Sequence, residues 1–131
     1  ASLPIILFLM PRSTFESTVA STIAVTAPAK LYARIALQNI PRDEFTFIWR
    51  AVTLAIDTKG EPSLKLDGPL LLMHGESDRN GSIKRDMPKW AEEAADHAEY
   101  HVLPAAAHNA NQDNPDAVNG HLLDFLARHV N

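Results

Sequence analysis

Two residues in the C-terminal half of the chain, Asp78 and His108, have the types and the spacing for acid–base chemistry. Asp78 ends the run GPLLLMHGESD, and His108 follows AEYHVLPAAA about 30 residues later. A carboxylate bonded to one imidazole nitrogen fixes the tautomer and stabilises the imidazolium that forms when the other nitrogen takes a proton. Such a histidine can act as general base toward a hydroxyl nucleophile and later as general acid toward the leaving group.

Two predicted strands are needed to bring these residues together. The unbroken apolar run at 68–75 is typical of a strand buried on both faces, and the segment 98–104 is predicted to be a second strand. A helix at about 83–96 separates them, so the order predicts a parallel pair joined by a right-handed crossover. Because catalytic groups collect at the carboxyl ends of parallel strands, we expect Asp78 and His108 to meet there.

Further helical signals accompany these strands. After the second strand, Asn114 has the type of a helix cap, Pro115 that of a first helical residue, and Asp116 lies in the first turn. Trp90 belongs to the apolar side of the helix between the strands, and we expect it to pack rather than to bind a ligand. The predicted buried stripe of the last helix consists of Val118, Leu122, Phe125 and Leu126.

Residues 1–67 are predicted to be mostly helical. The stretch 12–27 is rich in Ser, Thr and β-branched residues, which have low helix propensity, whereas the apolar pattern at 28–39 is firmer. The strongest helix begins near Pro41 and has acidic residues in its first turn. The cluster DTKGEPS at 57–63 is predicted to end this helix. The apolar positions at helical spacing are Phe45, Ile48, Val52 and Ile56.

The joint order of these pieces resembles the end of an α/β-hydrolase domain. In that family the triad has the chain order Ser, then Asp or Glu, then His. The acid follows the penultimate core strand in a G-x-x-D turn, which Gly75 to Asp78 match. His108 matches the histidine after the last strand, although Ala107 stands where the family often has Gly. Asn114-Pro115 matches the start of the final helix.

The resemblance implies an α/β fold in two segments. Residues 68–131 correspond to the C-terminal part of the α/β-hydrolase core, with two parallel core strands and flanking helices. Residues 1–67 lie where the family inserts a helical lid. Within this lid, Phe47 and Trp49 lie off the main apolar stripe and are candidates for contacting substrate, whereas Phe45 is expected to be core.

The chain departs from the family at the nucleophile, because it contains no G-x-S-x-G motif. No serine has the required flanking glycines; the serines are Ser2, Ser13, Ser17, Ser21, Ser63, Ser77 and Ser82. The resemblance therefore implies that an N-terminal α/β-hydrolase segment supplies the nucleophile, as a second chain or as the other product of a cleavage. The start at Ala rather than Met agrees with cleavage or with a partial chain. Two parallel strands alone would also leave open edges that invite pairing.

Other roles for the same residues stay open at this point. Asp78 could be an ordinary turn residue, and His108 an ordinary loop histidine. Glu76 lies two residues before Asp78 and could replace it as the acid, since the family also uses Glu. The pair His74-Gly75 resembles an oxyanion motif, but it lies in the wrong place for that role.

The function implied by the resemblance is that of a serine-type hydrolase. It would cleave an ester, lactone, thioester or amide bond of a small apolar acyl substrate through an acyl-enzyme, without a cofactor. An Asp in place of the missing serine would instead indicate epoxide or haloalkane hydrolysis. The alternative is a non-hydrolytic relative, either a ligand-binding protein or a cofactor-free lyase, because a fold does not determine function.

Composition excludes several other classes of protein. A net charge of −4 without a basic stripe argues against binding to nucleic acid. The chain has no cysteine, so disulfides and thiolate catalysis are excluded. His97 and His101 are four residues apart, but a helix-to-strand change between them argues against a metal site. The opening apolar run is too short for a bilayer and lacks a basic flank, so we expect a cytoplasmic protein without a membrane partner.

Overall fold

A computed structural model describes residues 9–55, 66 and 68–130 of the chain. The elements are α1 (Arg12–Ile23), α2 (Ala27–Gln38), α3 (Arg42–Ala55), β1 (Leu70–Gly75), α4 (Ile83–Glu93), β2 (Ala98–Leu103), α5 (Ala110–Asp113) and α6 (Pro115–His129). None of the described helices is long and apolar enough to cross a membrane. The predicted breaker cluster at 57–63, the apolar position Ile56 and most of the opening apolar run lie outside the described residues.

The two strands form a parallel pair, as predicted. Leu70 lies opposite Ala98, and the register continues to Gly75 opposite Leu103. Helix α4 connects the strands and contacts both of them, so the chain is a mixed α/β protein in which helix predominates. Because β1 and β2 end at the same register position, the loops that follow them leave the sheet side by side.

Helix α4 ends at Glu93, three residues before the predicted end. Residues 94–97 turn instead, and the backbone N–H groups of His97 and Ala98 both donate to the carbonyl oxygen of Ala94, at 3.0 and 2.8 Å. This turn brings the carbonyl oxygen of His97 to within 2.9 Å of the Leu70 backbone nitrogen. The early end of the helix therefore allows β2 to begin pairing with β1.

Helices α1 and α2 pack as an antiparallel pair, with the side chain of Arg12 at the start of α1 bonded to the carbonyl oxygens of Leu37 and Ile40 at the end of α2. Thr26 caps α2 by accepting a hydrogen bond from the backbone nitrogen of Ala29, and a proline lies in the first turn of the helix. The carboxylate of Glu16 is buried in this pair. It accepts hydrogen bonds from Arg12 at 2.6 Å and from Gln38 at 3.3 Å. The buried apolar side chains are Phe15, Ala20, Ala29, Ala33 and Leu37.

The apolar stripe of α6 is not buried, which contradicts the prediction. No residue of α6 is fully buried, and Leu122 and Leu126 are each 39% exposed. Trp90 on α4 was expected to pack, but it is 56% exposed. The described sheet has only two strands, so it is too narrow to cover the helices beside it. Ile48 and Val52 on α3 are exposed as well.

Candidate active site

Two loops meet at the carboxyl ends of the strands: the acid loop (residues 76–82) after β1 and the histidine loop (residues 104–109) after β2. The backbone nitrogen of Ser77 donates to the carbonyl oxygen of Ala106 at 2.9 Å. Gly75 permits this approach, because a Cβ there would lie 2.3 Å from the carbonyl oxygens of both Ala106 and Ala107. The glycine of the G-x-x-D turn is thus required by close packing between the two loops.

Asp78 and His108 meet as predicted. The distance from Asp78 Oδ2 to His108 Nδ1 is 3.1 Å. The Asp78 side chain is 3% exposed, and its second oxygen accepts from the backbone nitrogen of Asn80 at 2.8 Å. The imidazole is 41% exposed, and among the described residues no hydroxyl group is hydrogen-bonded to its Nε2. A buried carboxylate thus orients a partly exposed ring.

Glu76 does not make the contact required of the alternative acid. Its Oε1 accepts from the backbone nitrogen of Ala105 at 2.9 Å, and Ala105 has a left-handed backbone conformation with φ of 53°. A non-glycine residue rarely adopts this conformation unless its surroundings stabilise it. Glu76 therefore holds the start of the histidine loop, and Asp78 contacts His108.

His74 and Gly75, the pair that resembles an oxyanion motif, make structural contacts within the fold. The His74 ring is buried, stacks on Tyr100 with ring centroids 5.7 Å apart, and has its Nδ1 3.2 Å from the Tyr100 hydroxyl. Burial lowers the pKa of His74 below its ordinary value, although the nearby Asp78 carboxylate opposes the shift. The ring therefore stays neutral near pH 7 and pairs with Tyr100, and the backbone of Gly75 packs on the histidine loop.

Asp113 is a functional candidate that sequence reasoning missed. Its buried carboxylate accepts from the backbone nitrogens of Val25 (3.0 Å), Thr26 (2.8 Å) and Ala107 (3.0 Å), and from the Thr26 hydroxyl (2.8 Å). Burial by itself would raise the pKa of Asp113, but these hydrogen bonds together outweigh it and lower the pKa. Nothing local identifies this residue, because two of its partners lie 87 and 88 residues away in the chain.

The corner between α1 and α2 (residues 22–26) contacts both loops. The carbonyl oxygen of Ile23 accepts from the backbone nitrogen of Asn109 at 2.8 Å. The carbonyl oxygen of Thr22 accepts from the side-chain amide of Asn80 at 3.0 Å. The helical part of the chain therefore contributes directly to the backbone arrangement around Asp78 and His108.

The substrate candidates Phe47 and Trp49 lie on α3. Phe47 is 74% exposed. Trp49 stacks on Phe45 with ring centroids 6.2 Å apart, and Phe45 meets Phe15 of α1 edge to face at 5.2 Å. These ring contacts stay within the helical part of the chain, and Phe45 joins α3 to α1 through them.

The remaining histidines lie away from this site. His97 is in the turn before β2, whereas His101 is within β2 and stacks on His121 of α6 with centroids 3.8 Å apart. Glu99 accepts from Arg128 and lies 3.5 Å from His129 Nε2. In the part of the chain that the structure describes, no group of three or more acidic or histidine side chains is arranged to hold a metal ion.

Comparisons with known proteins add no relative to this picture. The chain matches no family model, no curated protein and no solved structure. Its function must therefore be inferred from the order of its motifs and from the geometry of the Asp78–His108 site.

Proposed function

We propose that the chain is the C-terminal portion of a serine-type α/β-hydrolase and supplies the acid and the base of its catalytic triad. The observation that carries this proposal is the hydrogen bond between the buried carboxylate of Asp78 and the exposed imidazole of His108. Its position at the carboxyl ends of two parallel strands supports the same conclusion, because ligands bind at this edge of α/β sheets.

The geometry suits acyl transfer. Asp78 accepts the Nδ1–H of His108, so Nε2 is the nitrogen that can take a proton from a serine hydroxyl as it attacks a carbonyl carbon. The imidazolium, stabilised by Asp78, then returns the proton to the leaving alcohol or amine, and an acyl-enzyme remains. Water then gives a proton to the same nitrogen as its oxygen bonds the acyl carbon. The bond from that carbon to the serine oxygen breaks, the acid leaves, and the imidazolium returns the proton to the serine.

The nucleophile would come from an N-terminal α/β-hydrolase segment, on a second chain or a cleavage product. Two features support such a partner: the two-stranded sheet, and the exposure of Leu122 and Leu126 on α6. A partner that extends the sheet would cover these side chains and place its serine at the same edge. In this arrangement helices α1 to α3 form a lid, and Phe47 and Trp49 contribute to a site for a small apolar acyl group.

The test uses this chain together with the proposed segment that carries the nucleophile, an assembly called here the full-length protein. It is reacted with a fluorophosphonate probe, and its hydrolysis of p-nitrophenyl acetate is measured. We expect kcat to fall by about 10³–10⁴-fold in His108→Ala and Asp78→Asn, because each removes one function of the relay. His97→Ala is the control, since this exposed histidine lies at the opposite end of β2. Unchanged labelling and hydrolysis in both site variants would exclude the assignment. A wild-type protein that binds the ester without reacting would favour the ligand-binding alternative.

A further inference from the structure

The carboxylate of Asp113 joins two parts of the chain that are far apart in sequence, the α1–α2 corner and the histidine loop. Its oxygens face donors from the α1–α2 corner, at Val25 and Thr26, and from the histidine loop, at Ala107. Asp113 itself ends α5, which has only four residues. A helix this short cannot hold its own geometry in water, so the conformation of this segment depends on such long-range bonds.

His108 lies between two residues whose backbone nitrogens each donate a hydrogen bond to another part of the chain. The Ala107 nitrogen donates to Asp113, and the Asn109 nitrogen donates to the carbonyl oxygen of Ile23. The backbone of His108 therefore has its place determined from both sides. The ring then needs only the bond to Asp78 to fix its rotation.

We propose that Asp113 is a positioning residue for His108, and that the α1–α2 corner sets the geometry of the acid–base pair through this carboxylate. The inference deepens the proposed function and rests on it for the catalytic role of His108. In this arrangement the helical segment does more than cover a substrate. Its contacts fix the backbone on either side of His108, the proposed base.

The chemistry of the site requires a carboxylate. Both oxygens of Asp113 face N–H or O–H donors: Oδ1 faces Thr26, and Oδ2 faces the Ala107 nitrogen. An asparagine would have to turn its NH₂ group toward one of these two sets of donors. It could keep its bond to the corner or to the histidine loop, but not both, so the link that this side chain makes between them would be lost.

The experiment compares Asp113→Asn with wild type in the full-length protein by two readouts. The first is the downfield proton NMR signal of the His108 Nδ1–H, assigned by its disappearance in His108→Ala. The second is kcat/KM for p-nitrophenyl acetate. We expect the signal to shift or to broaden through faster exchange with water, and kcat/KM to fall by about 10²-fold, as for a misplaced catalytic group.

Two control variants separate positioning from general loss of stability. Leu37→Ala removes a buried side chain of α2 and should lower Tm while leaving the NMR signal and kcat/KM near wild type. Asp124→Asn makes the same charge change at an exposed position of α6 and should alter neither readout. If Leu37→Ala changes both readouts as much as Asp113→Asn does, or if Asp113→Asn changes neither, the inference is wrong.

A milder pair keeps the test decisive if Asp113→Asn does not fold. Thr26→Val removes the hydroxyl that donates to Asp113, whereas Thr26→Ser retains it. A partial shift of the His108 signal in the Val variant and none in the Ser variant supports the inference, and identical signals in the two variants overturn it. The NMR readout needs no substrate. An inactive wild-type protein would therefore remove the proposed function while this comparison still decides whether Asp113 positions His108.

Discussion

The site at the carboxyl ends of β1 and β2 differs from helices α4 and α6 in how completely the described chain supplies its contacts. The polar groups of the site have hydrogen-bond partners, whereas the apolar side chains of the two helices are not fully buried. Asp78 in the acid loop and Asp113, whose carboxylate binds the histidine loop, are buried, and each has hydrogen-bond donors on both carboxylate oxygens. Neither α4 nor α6 has a fully buried residue. Side chains such as Trp90 and Leu122 are exposed although their helices pack beside a sheet.

This difference separates two requirements of the fold, polar geometry and apolar burial. Polar geometry at the site is completed by contacts within the described chain, and these contacts reach from the α1–α2 corner to the histidine loop. Apolar burial is incomplete, because it requires a wider sheet than two strands. The proposed partner segment would therefore bury the apolar side chains of α4 and α6, and it would bring a nucleophile to an acid–base pair that has already formed.

The largest expected effect comes from comparing a leucine of the sheet with a leucine of α6. Leu103 is fully buried at the end of β2, so Leu103→Ala should cost about 2–5 kcal/mol of unfolding free energy. Leu126→Ala should cost less than about 1 kcal/mol in this chain alone, because its side chain is partly in water. Urea denaturation of the chain and of the full-length protein measures both. If a partner covers α6, the cost of Leu126→Ala approaches that of Leu103→Ala in the full-length protein. If Leu126→Ala costs the same small amount of unfolding free energy in the chain alone and in the full-length protein, a partner does not cover α6.

A second prediction concerns the close contact of the two loops. Gly75→Ala places a methyl group against the carbonyl oxygens of Ala106 and Ala107, which belong to backbone and cannot rotate away. We expect a loss of about 1–3 kcal/mol of unfolding free energy, as for other overpacked sites, and a fall in the proposed esterase activity because the histidine loop must shift. Chemical denaturation and esterase assays provide the measurements. A stable, fully active Gly75→Ala variant would show that the loops do not pack in this way.

A third, smaller effect is the acid sensitivity of Asp113. Because hydrogen bonding lowers its pKa in the folded state, its contribution to stability is present above the ordinary carboxyl pKa, near pH 4. It is lost as the pH falls through the lower folded value. The difference in urea midpoint between wild type and Asp113→Asn should therefore narrow from pH 7 toward pH 3. The pKa of Glu16 is also lowered, by its hydrogen bond from Arg12, but this contribution is common to both proteins and cancels. A constant difference across this range would contradict the assignment to Asp113.

The smallest effect should come from the exposed glycine of α6. A Cβ at Gly120 would meet no atom within 4 Å, so Gly120→Ala should stabilise the chain by about 0.5–1 kcal/mol through helix propensity. Thermal unfolding measures the change, and Gly75→Ala is the natural contrast because the same substitution there should destabilise. If Gly120→Ala destabilises the full-length protein but not the chain alone, the partner lies directly against this side of α6.

The sequence predicted the parts of this structure that depend on local patterns. The segments predicted as strands at 68–75 and 98–104 form β1 and β2, each slightly shorter than predicted, and Asn114 with Pro115 begins α6 as predicted. The contact of Asp78 with His108 followed from the rule for the ends of parallel strands. The burial of the α6 stripe was predicted wrongly, because an amphipathic pattern shows which face is apolar but not whether anything covers it.

By itself the sequence determined the elements and the chemical types at the ends of the strands, since apolar runs, caps and breakers act over a few residues. Only the tertiary structure showed which backbone groups the other two carboxylates bind: Glu76 accepts from the Ala105 nitrogen, and Asp113 accepts from the Ala107 nitrogen. The physical reason is that hydrogen bonds to backbone groups depend on position and not on the identity of the donor residue. Any amino acid except proline could offer the nitrogen that Val25 offers to Asp113, so only folding reveals this partner.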